Sequence, residues 1–364
     1  MATRTVIIGT GSHLPERVVP NDHFAGHGFR GRDGLPLKGA NADLLRQFEA
    51  ITGIGERRWA PEGLTASDLG TDAARKALAD AAIDPESLDY IVVAHNFGDV
   101  RAGTAQVDAV PALAARIKNR LRIRNGRCVA LDVVFGCPGW LQGVILVDAL
   151  IRVGEIRRAL VVGAETLSRV SDPHDRDSLL YADGAGAVVL EGRETNEPIG
   201  ILARATRSDT LDHSAIIGVG PSHDPGRAGD GPFLKMEGRR VYKYAVSTVA
   251  PAIKEVLDEA GVALDDVTKL LLHQANGKMI DAIVAGLVDL CGSTTRAALV
   301  PKTVSWLGNS SVATLPTLLD LIRRGELDGH RIGPGDCVVL GAVGAGMHVN
   351  AVVYREPWER QAPS

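Results

Sequence analysis

Residues 78–94 read LADAAIDPESLDYIVVA, and residues 257–273 read LDEAGVALDDVTKLLLH. Each is a helix end, an acidic turn and an apolar strand, and the two align without a gap at an offset of 179. A second pair, LVVGA at 160–164 and VVLGA at 338–342, repeats at an offset of 178, close to half of the 364-residue chain. Two matches at nearly one period read as an internal duplication into two similar halves, residues 1–195 and 196–364.

The rest of the chain fits that reading. Short apolar runs at 5–8, 90–94, 128–131, 159–162, 187–190, 269–272 and 336–340 have the length and composition of buried strands. Between them, 67–82, 139–153, 242–260 and 315–324 carry helical periodicity. Alternation of this kind is the mark of an α/β fold with helix-covered sheets. Three irregular stretches interrupt it. Residues 218–232 (GVGPSHDPGRAGDGP) read as a loop between the halves, 26–39 as a mobile insertion, and 96–110 as a loop after a strand end, where ligands tend to bind.

Composition narrows the function. Hydrophobic residues make up 45 % and charged residues 23 %, as in an ordinary globular chain. Lys and Arg number 40 against 44 Asp and Glu, for a net charge of -4, which argues against nucleic acid as a partner. No stretch reaches the roughly 20 apolar residues of a membrane span, and the N-terminus lacks the layout of a signal peptide. The four cysteines, Cys128, Cys137, Cys291 and Cys337, form no C-x-x-C pair, so we expect reduced thiols in a cytoplasmic protein rather than a disulfide framework or a zinc site.

One cysteine stands apart. Cys137 lies in DVVFGCPGW (132–139 and Trp140), after an apolar strand and before a helical run. A side chain at such a turn lies beside unpaired helix N–H groups, whose partial positive charge favours thiolate and makes a nucleophile. Cys128, Cys291 and Cys337 read as packing residues. His273 ends the strand 269–272, at the carboxyl edge where α/β proteins place reactive side chains; its counterpart in the first half is Ala94. Asn309, in WLGNSS before the helix 315–324, reads by itself as a capping residue. The glycine runs 9–11 and 341–346 lack the G-x-G-x-x-G spacing of a dinucleotide loop. The stretch 344–346 reads instead as a turn whose backbone N–H groups approach a ligand oxygen.

Taken together in chain order, these motifs resemble those of the β-ketoacyl-acyl-carrier-protein synthase III family of thiolase-fold condensing enzymes. The resemblance rests on ITGIGERR at 51–58, the Cys137 turn, DPHDR at 172–176 and YADGAGA at 181–187. It continues through HQAN at 273–276, GNSS at 308–311 and the terminal glycine turn. It implies an α-β-α-β-α layered fold and a triad of Cys137, His273 and Asn309. Cys137 would take an acyl group from an acyl-CoA or acyl-carrier donor, and malonyl-carrier would lose carbon dioxide. His273 and Asn309 would hold the enolate, and the backbone N–H groups of Cys137 and Ala345 would hold the second oxyanion. No metal or redox cofactor is implied. Asn276 and Gly238 would line a pantetheine tunnel, while Arg176 and Lys278 would meet carrier or CoA phosphates. A homodimer is implied, with an acyl carrier protein docking on a basic patch; the run Arg116, Lys118, Arg120, Arg122 and Arg124 is a candidate.

Several positions depart from acetyl-primed members. Gln47 and Ile51 stand where a Trp and an Arg clamp adenine, Pro138 follows the cysteine where Ala is commoner, and Val110 and Val343 replace pocket-closing aromatics. An insertion at 96–108 alters the pocket rim. The expectation is an acyl donor longer than acetyl. A same-fold enzyme that passes its acyl group to a β-keto nucleophile, hydroxyl or amine is the alternative. A degradative thiolase is disfavoured because the final turn carries Met347 and His348 and no second cysteine. A non-catalytic subunit is disfavoured because all three polar residues are present.

Overall fold

The structure is a computed structural model, and it describes residues 1–104, 106–294 and 300–358. Ala105, within the 96–108 insertion, lies outside the described residues. Eleven strands concern the site: β1 (Ala2–His13), β2 (Tyr90–Ala94), β3 (Val129–Val133), β4 (Arg158–Thr166), β5 (Asp183–Thr195), β6 (Gly200–Ser208), β7 (Ile217–Gly220), β8 (Phe233–Met236), β9 (Lys269–Leu272), β10 (Cys337–Gly344) and β11 (His348–Arg355). With them go the helices α1 (Ala66–Ala81), α2 (Leu113–Arg120), α3 (Gly139–Arg152), α4 (Gly238–Ala260), α5 (Gly277–Cys291) and α6 (Thr314–Arg323).

The first sheet runs β1-β5-β4-β2-β3 and the second β6-β11-β10-β9. In both, the first two pairings are antiparallel and the third is parallel. The two repeats seen in the sequence therefore pair the end of α1 and β2 with the end of α4 and β9, and β4 with β10. The first sheet draws its strands from residues 2–195 and the second from 200–355.

Packing explains the layers. α3 and α6 lie between the sheets, so they are apolar around much of their circumference: Trp140, Leu141, Val144, Leu315, Leu318 and Ile322 form one core with strands of both sheets. α1 and α2 cover the outer face of the first sheet, and α4 and α5 that of the second. α1 meets its sheet through Ala73, Ala74, Ala77 and Ala81, all buried. The approach is so close that a Cβ on Gly9 would stand 2.3 Å from the Ala77 carbonyl oxygen. The result is the thiolase-type α-β-α-β-α sandwich. No helix among the described residues is long and apolar enough to cross a membrane.

Two sequence expectations need correction. Residues 218–232 do not divide the halves: β6 precedes them and belongs to the second sheet, and Gly218 and Gly220 pair with Lys235 and Phe233 in the hairpin β7–β8. Only the segment between those strands is a loop. The stretch 26–39 is not a loose insertion but a strap tied at several points. Arg30 N–H donates to the His174 carbonyl (2.8 Å), ring nitrogens of His27 and His174 meet the Pro173 and Gly28 carbonyls (3.1 and 3.0 Å), and Arg32 reaches the Met236 carbonyl (2.8 Å).

Candidate active site

Cys137 stands in the turn from β3 to α3, two residues before the helix begins. That turn is held by Gly136, at φ +66, and by the equivalent turn after β10. A Cβ on Gly344 would meet Cys137 N at 2.5 Å, and one on Gly136 would meet Ala345 N at 2.6 Å. The backbones of Cys137 and Ala345 are thereby pressed together, as the glycine-rich turn at 344–346 leads one to expect.

The helix terminus beside Cys137 favours thiolate, and enclosure opposes it. Burial pushes the thiol up to about 11; a hydrogen bond from Ser311 pulls it down, and Glu165 pushes it further up. Enclosure of the thiol works against the local effect of the helix terminus. Cys128 and Cys337 are buried, as expected of packing residues, and Cys291 is half-buried at the end of α5.

His273 and Asn309 come to the same cavity from the second half. His273 follows β9, with its N–H on the Gly341 carbonyl (2.9 Å) and Nδ1 at 2.7 Å from the Thr314 hydroxyl at the start of α6. Burial lowers its pKa to about 4, so the imidazole is neutral at pH 7. Asn309 is fixed on both backbone sides: its N–H donates to the Leu180 carbonyl and its carbonyl accepts from Ala182 N–H, each at 2.9 Å. Its Oδ1 accepts from Ser311 N–H (2.8 Å), so it does cap the turn, while Nδ2 has no protein partner among the described residues.

Behind these three lies a polar chain that the sequence reading missed. Asn96 Nδ2 donates to Glu165 Oε1 (2.5 Å) and to Ser311 Oγ (3.0 Å), and Ser311 hydrogen-bonds Cys137. Glu165 is fully enclosed, and burial raises its pKa to about 8. A carboxylate directly after the apolar run 159–164, still within a strand buried along its whole length, was the available signal. Ser311 takes φ +51, a left-handed conformation rare for a side-chain-bearing residue and costly unless its surroundings hold it.

The inner cavity, of about 340 Å³, is lined by Cys137, His273, Asn309, Ser311 and Asn96 at its polar end. Phe97, Leu167, Tyr181, Val219, Leu234, Met236 and Val343 give it an apolar wall. An outer cavity of about 800 Å³ shares Met236, Val241, Ala275, Met279 and Asn309 with it, so the two form one route from the surface. Gly238, Asn276 and Arg176 line that outer part, along with Gln47, Ile51, Arg32, Arg239 and Arg240.

Other predicted positions fall elsewhere. Lys278 is exposed in the first turn of α5 and lines neither cavity. Val110 is 86 % exposed and does not close this chain's own cavity, because the loop that carries it turns outward. In the basic run, Arg116 pairs with Asp99 and Asp108, Arg120 with Asp68, and Lys118 with the carbonyls of Asn125 and Cys128. These three are engaged by the fold itself, and none of the five lines either cavity. The one grouping with metal-ligand spacing among the described residues is Asp172, Asp175 and His223. Lys235 Nζ already sits 2.5 and 3.2 Å from its two carboxylates, so it serves to hold β8 against the DPHDR turn.

Comparison with known proteins points in one direction. A family model described as 3-oxoacyl-[acyl-carrier-protein] synthase III matches residues 131–210, and its C-terminal counterpart matches 257–356. The β-ketoacyl-[acyl-carrier-protein] synthase III of Rhizorhabdus wittichii is 36 % identical over 361 residues, covering 97 % of this chain and 99 % of that protein. That of Erythrobacter litoralis is 37 % identical over 356 residues, with the same coverage. Among solved structures, 3-oxoacyl-(acyl carrier protein) synthase III of Pseudomonas aeruginosa superposes with a TM-score of 0.78 at 29 % identity, over 97 % of this chain and 98 % of that one.

Proposed function

Since the chain belongs to the β-ketoacyl-acyl-carrier-protein synthase III family, we propose that it transfers an acyl group from a thioester to Cys137 and condenses it with malonyl-carrier, with loss of carbon dioxide. The observation that carries the reading is the meeting of Cys137, His273 and Asn309, from distant parts of the chain, at the inner end of one route.

The geometry fits each step. The donor's pantetheine arm enters through the outer cavity past Gly238 and Asn276, with Arg176 near its phosphate. Cys137 sulfur attacks the thioester carbonyl, the carrier thiol leaves with the proton, and the acyl group remains on the enzyme. Malonyl-carrier then loses carbon dioxide. The enolate oxygen accepts hydrogen bonds from His273 and from Asn309 Nδ2, two neutral donors set before the charge develops. The carbanion attacks the acyl-cysteine. Backbone N–H groups of Cys137 and Ala345 hold that oxyanion until Cys137 is expelled and the β-ketoacyl thioester departs.

The donor we assign is longer than acetyl, because Val343, which lines the inner cavity, is smaller than the aromatic side chain the family resemblance leads one to expect there. We also assign a homodimer. β3 is an edge strand of the first sheet, and Val129 and Val134 on it and beside it are 42 % and 66 % exposed. Pairing of two such edges would cover them and bring the outward Val110 to the partner.

Intact-protein mass spectrometry tests the reading. Donors of two to twelve carbons, on CoA and on a carrier protein, should leave a donor-sized adduct that Cys137→Ala abolishes. Malonyl-carrier should then discharge it as β-ketoacyl product. A persistent adduct would assign another acceptor, and no adduct from any donor would overturn the acyltransferase reading.

A further inference from the structure

Tyr181 lines the inner cavity and is 5 % exposed. Its backbone is fixed by the bridge to Asn309, and its carbonyl accepts from Trp59 Nε1 (3.2 Å). Its phenol is different: no group among the described residues hydrogen-bonds the hydroxyl. Phe97, Leu167, Leu234 and Met236 line the cavity with it, and the carboxylates of Asp177 and Asp175 act on it electrostatically without a hydrogen bond. Burial, then Asp177, Asp175 and Cys137, holds the hydroxyl well above its ordinary pKa, so it is an O–H donor at neutral pH. A donor with no protein acceptor in a largely apolar cavity is open to an acceptor on a ligand, and a site that hydrogen-bonds a substrate group discriminates against ligands that lack it.

The location says which part of a substrate could satisfy it. The pantetheine arm runs through the outer cavity, which Tyr181 does not line. The thioester oxygen has Cys137 and Ala345 N–H groups in the proposed reaction. What remains beside Tyr181, in the cavity it shares with Cys137 and Val343, is the acyl chain.

We propose that Tyr181 sets donor specificity by hydrogen-bonding an oxygen carried on the acyl chain, so that oxo-substituted acyl thioesters are preferred over plain alkyl ones. An oxo group suits the wall better than an alcohol, which would bring a second proton into apolar surroundings. The inference rests on the reading of Cys137 as the acyl acceptor.

The test is the rate of Cys137 acylation, followed by intact mass, with hexanoyl and with 3-, 4- and 5-oxohexanoyl thioesters on CoA and on a carrier protein. At least one oxo isomer should acylate wild-type protein roughly tenfold to a hundredfold faster than hexanoyl. Tyr181→Phe, which removes only the hydroxyl, should bring that ratio to about one, chiefly by slowing the oxo donor. Hexanoyl matching every oxo isomer in the wild type would overturn the inference and leave the acyltransferase reading intact. So would a preference that survives in Tyr181→Phe. Failure of every donor to acylate wild-type Cys137 would overturn both.

Discussion

The hydroxyl of Thr314 lies 2.7 Å from His273 Nδ1 and 3.0 Å from the carbonyl oxygen of Ser311. A hydroxyl has one proton to give. Donated to Ser311, it leaves Thr314 Oγ1 to accept from Nδ1–H, and the proton is missing from Nε2. Donated to Nδ1, it leaves the ring proton on Nε2. His273 is neutral near pH 7, so the choice decides whether the imidazole's second nitrogen accepts or donates.

Enolate stabilisation needs the Nε2–H form. Thr314→Val should therefore slow malonyl decarboxylation by roughly tenfold or more, while acylation of Cys137 by its donor stays within about twofold. Thr314→Ser, which keeps the hydroxyl, should restore decarboxylation. Carbon dioxide release and acyl-enzyme formation are measured separately on the same preparations. Wild-type decarboxylation by Thr314→Val would remove Thr314 from any role in setting the imidazole.

The resting thiol makes a second prediction. With Cys137 pushed up to about 11, its alkylation by iodoacetamide should climb about tenfold per pH unit across the neutral range, without a plateau below pH 9. Ser311 is the side chain that pulls the thiol pKa down, so Ser311→Ala should shift the profile to still higher pH. A plateau near pH 7 in the wild type would show instead that thiolate is the resting form.

Much of this arrangement was legible in the sequence, and the failures have physical causes. The strands 90–94 and 269–272 have the bounds their apolar runs predict, because a buried strand cannot extend into polar residues without cost. Cys137, His273 and Asn309 each sit at the end of such a run or before a helix, where position along the chain also fixes position in space. Asn96 and Ser311 are 215 residues apart, and nothing local in either announces their 3.0 Å contact. The hairpin β7–β8 was hidden by its glycines, which mark loops unless a partner strand supplies hydrogen bonds. For the Cys137 thiol, a local helix argument takes no account of the solvent that the tertiary fold removes.

Glu165 ties the site to stability. Its folded pKa is raised from 4.5 to about 8, so between those values the native state holds a proton that the unfolded chain has lost. Its contribution is fully present below about pH 4.5 and disappears as pH rises through about 8. Urea unfolding at pH 5 and pH 8.5 should show the wild type losing more stability over that interval than Glu165→Gln, by up to ~4 kcal/mol as an upper bound. Parallel losses in the two proteins would mean that Glu165 is ionised in the folded state throughout.

The final prediction concerns the length of the acyl chain. Val343 lies near the end of β10, one residue before the turn that presses against Cys137, and it lines the same inner cavity. Its side chain is buried and packs with the second sheet's core, so a larger side chain can expand only toward the cavity or by displacing Val349 and Met347. Val343→Phe should therefore shorten the space available to the donor. Acylation of Cys137 by hexanoyl and octanoyl donors should fall by roughly tenfold or more, while acetyl acylation holds or improves, because overpacking penalises the longer group selectively. Val343→Leu should give an intermediate loss. The measurement is the ratio of acyl-enzyme formed from paired donors in one reaction, which cancels any change in the fraction of folded protein. An unchanged octanoyl-to-acetyl ratio in Val343→Phe would place the acyl chain along a different wall of the cavity.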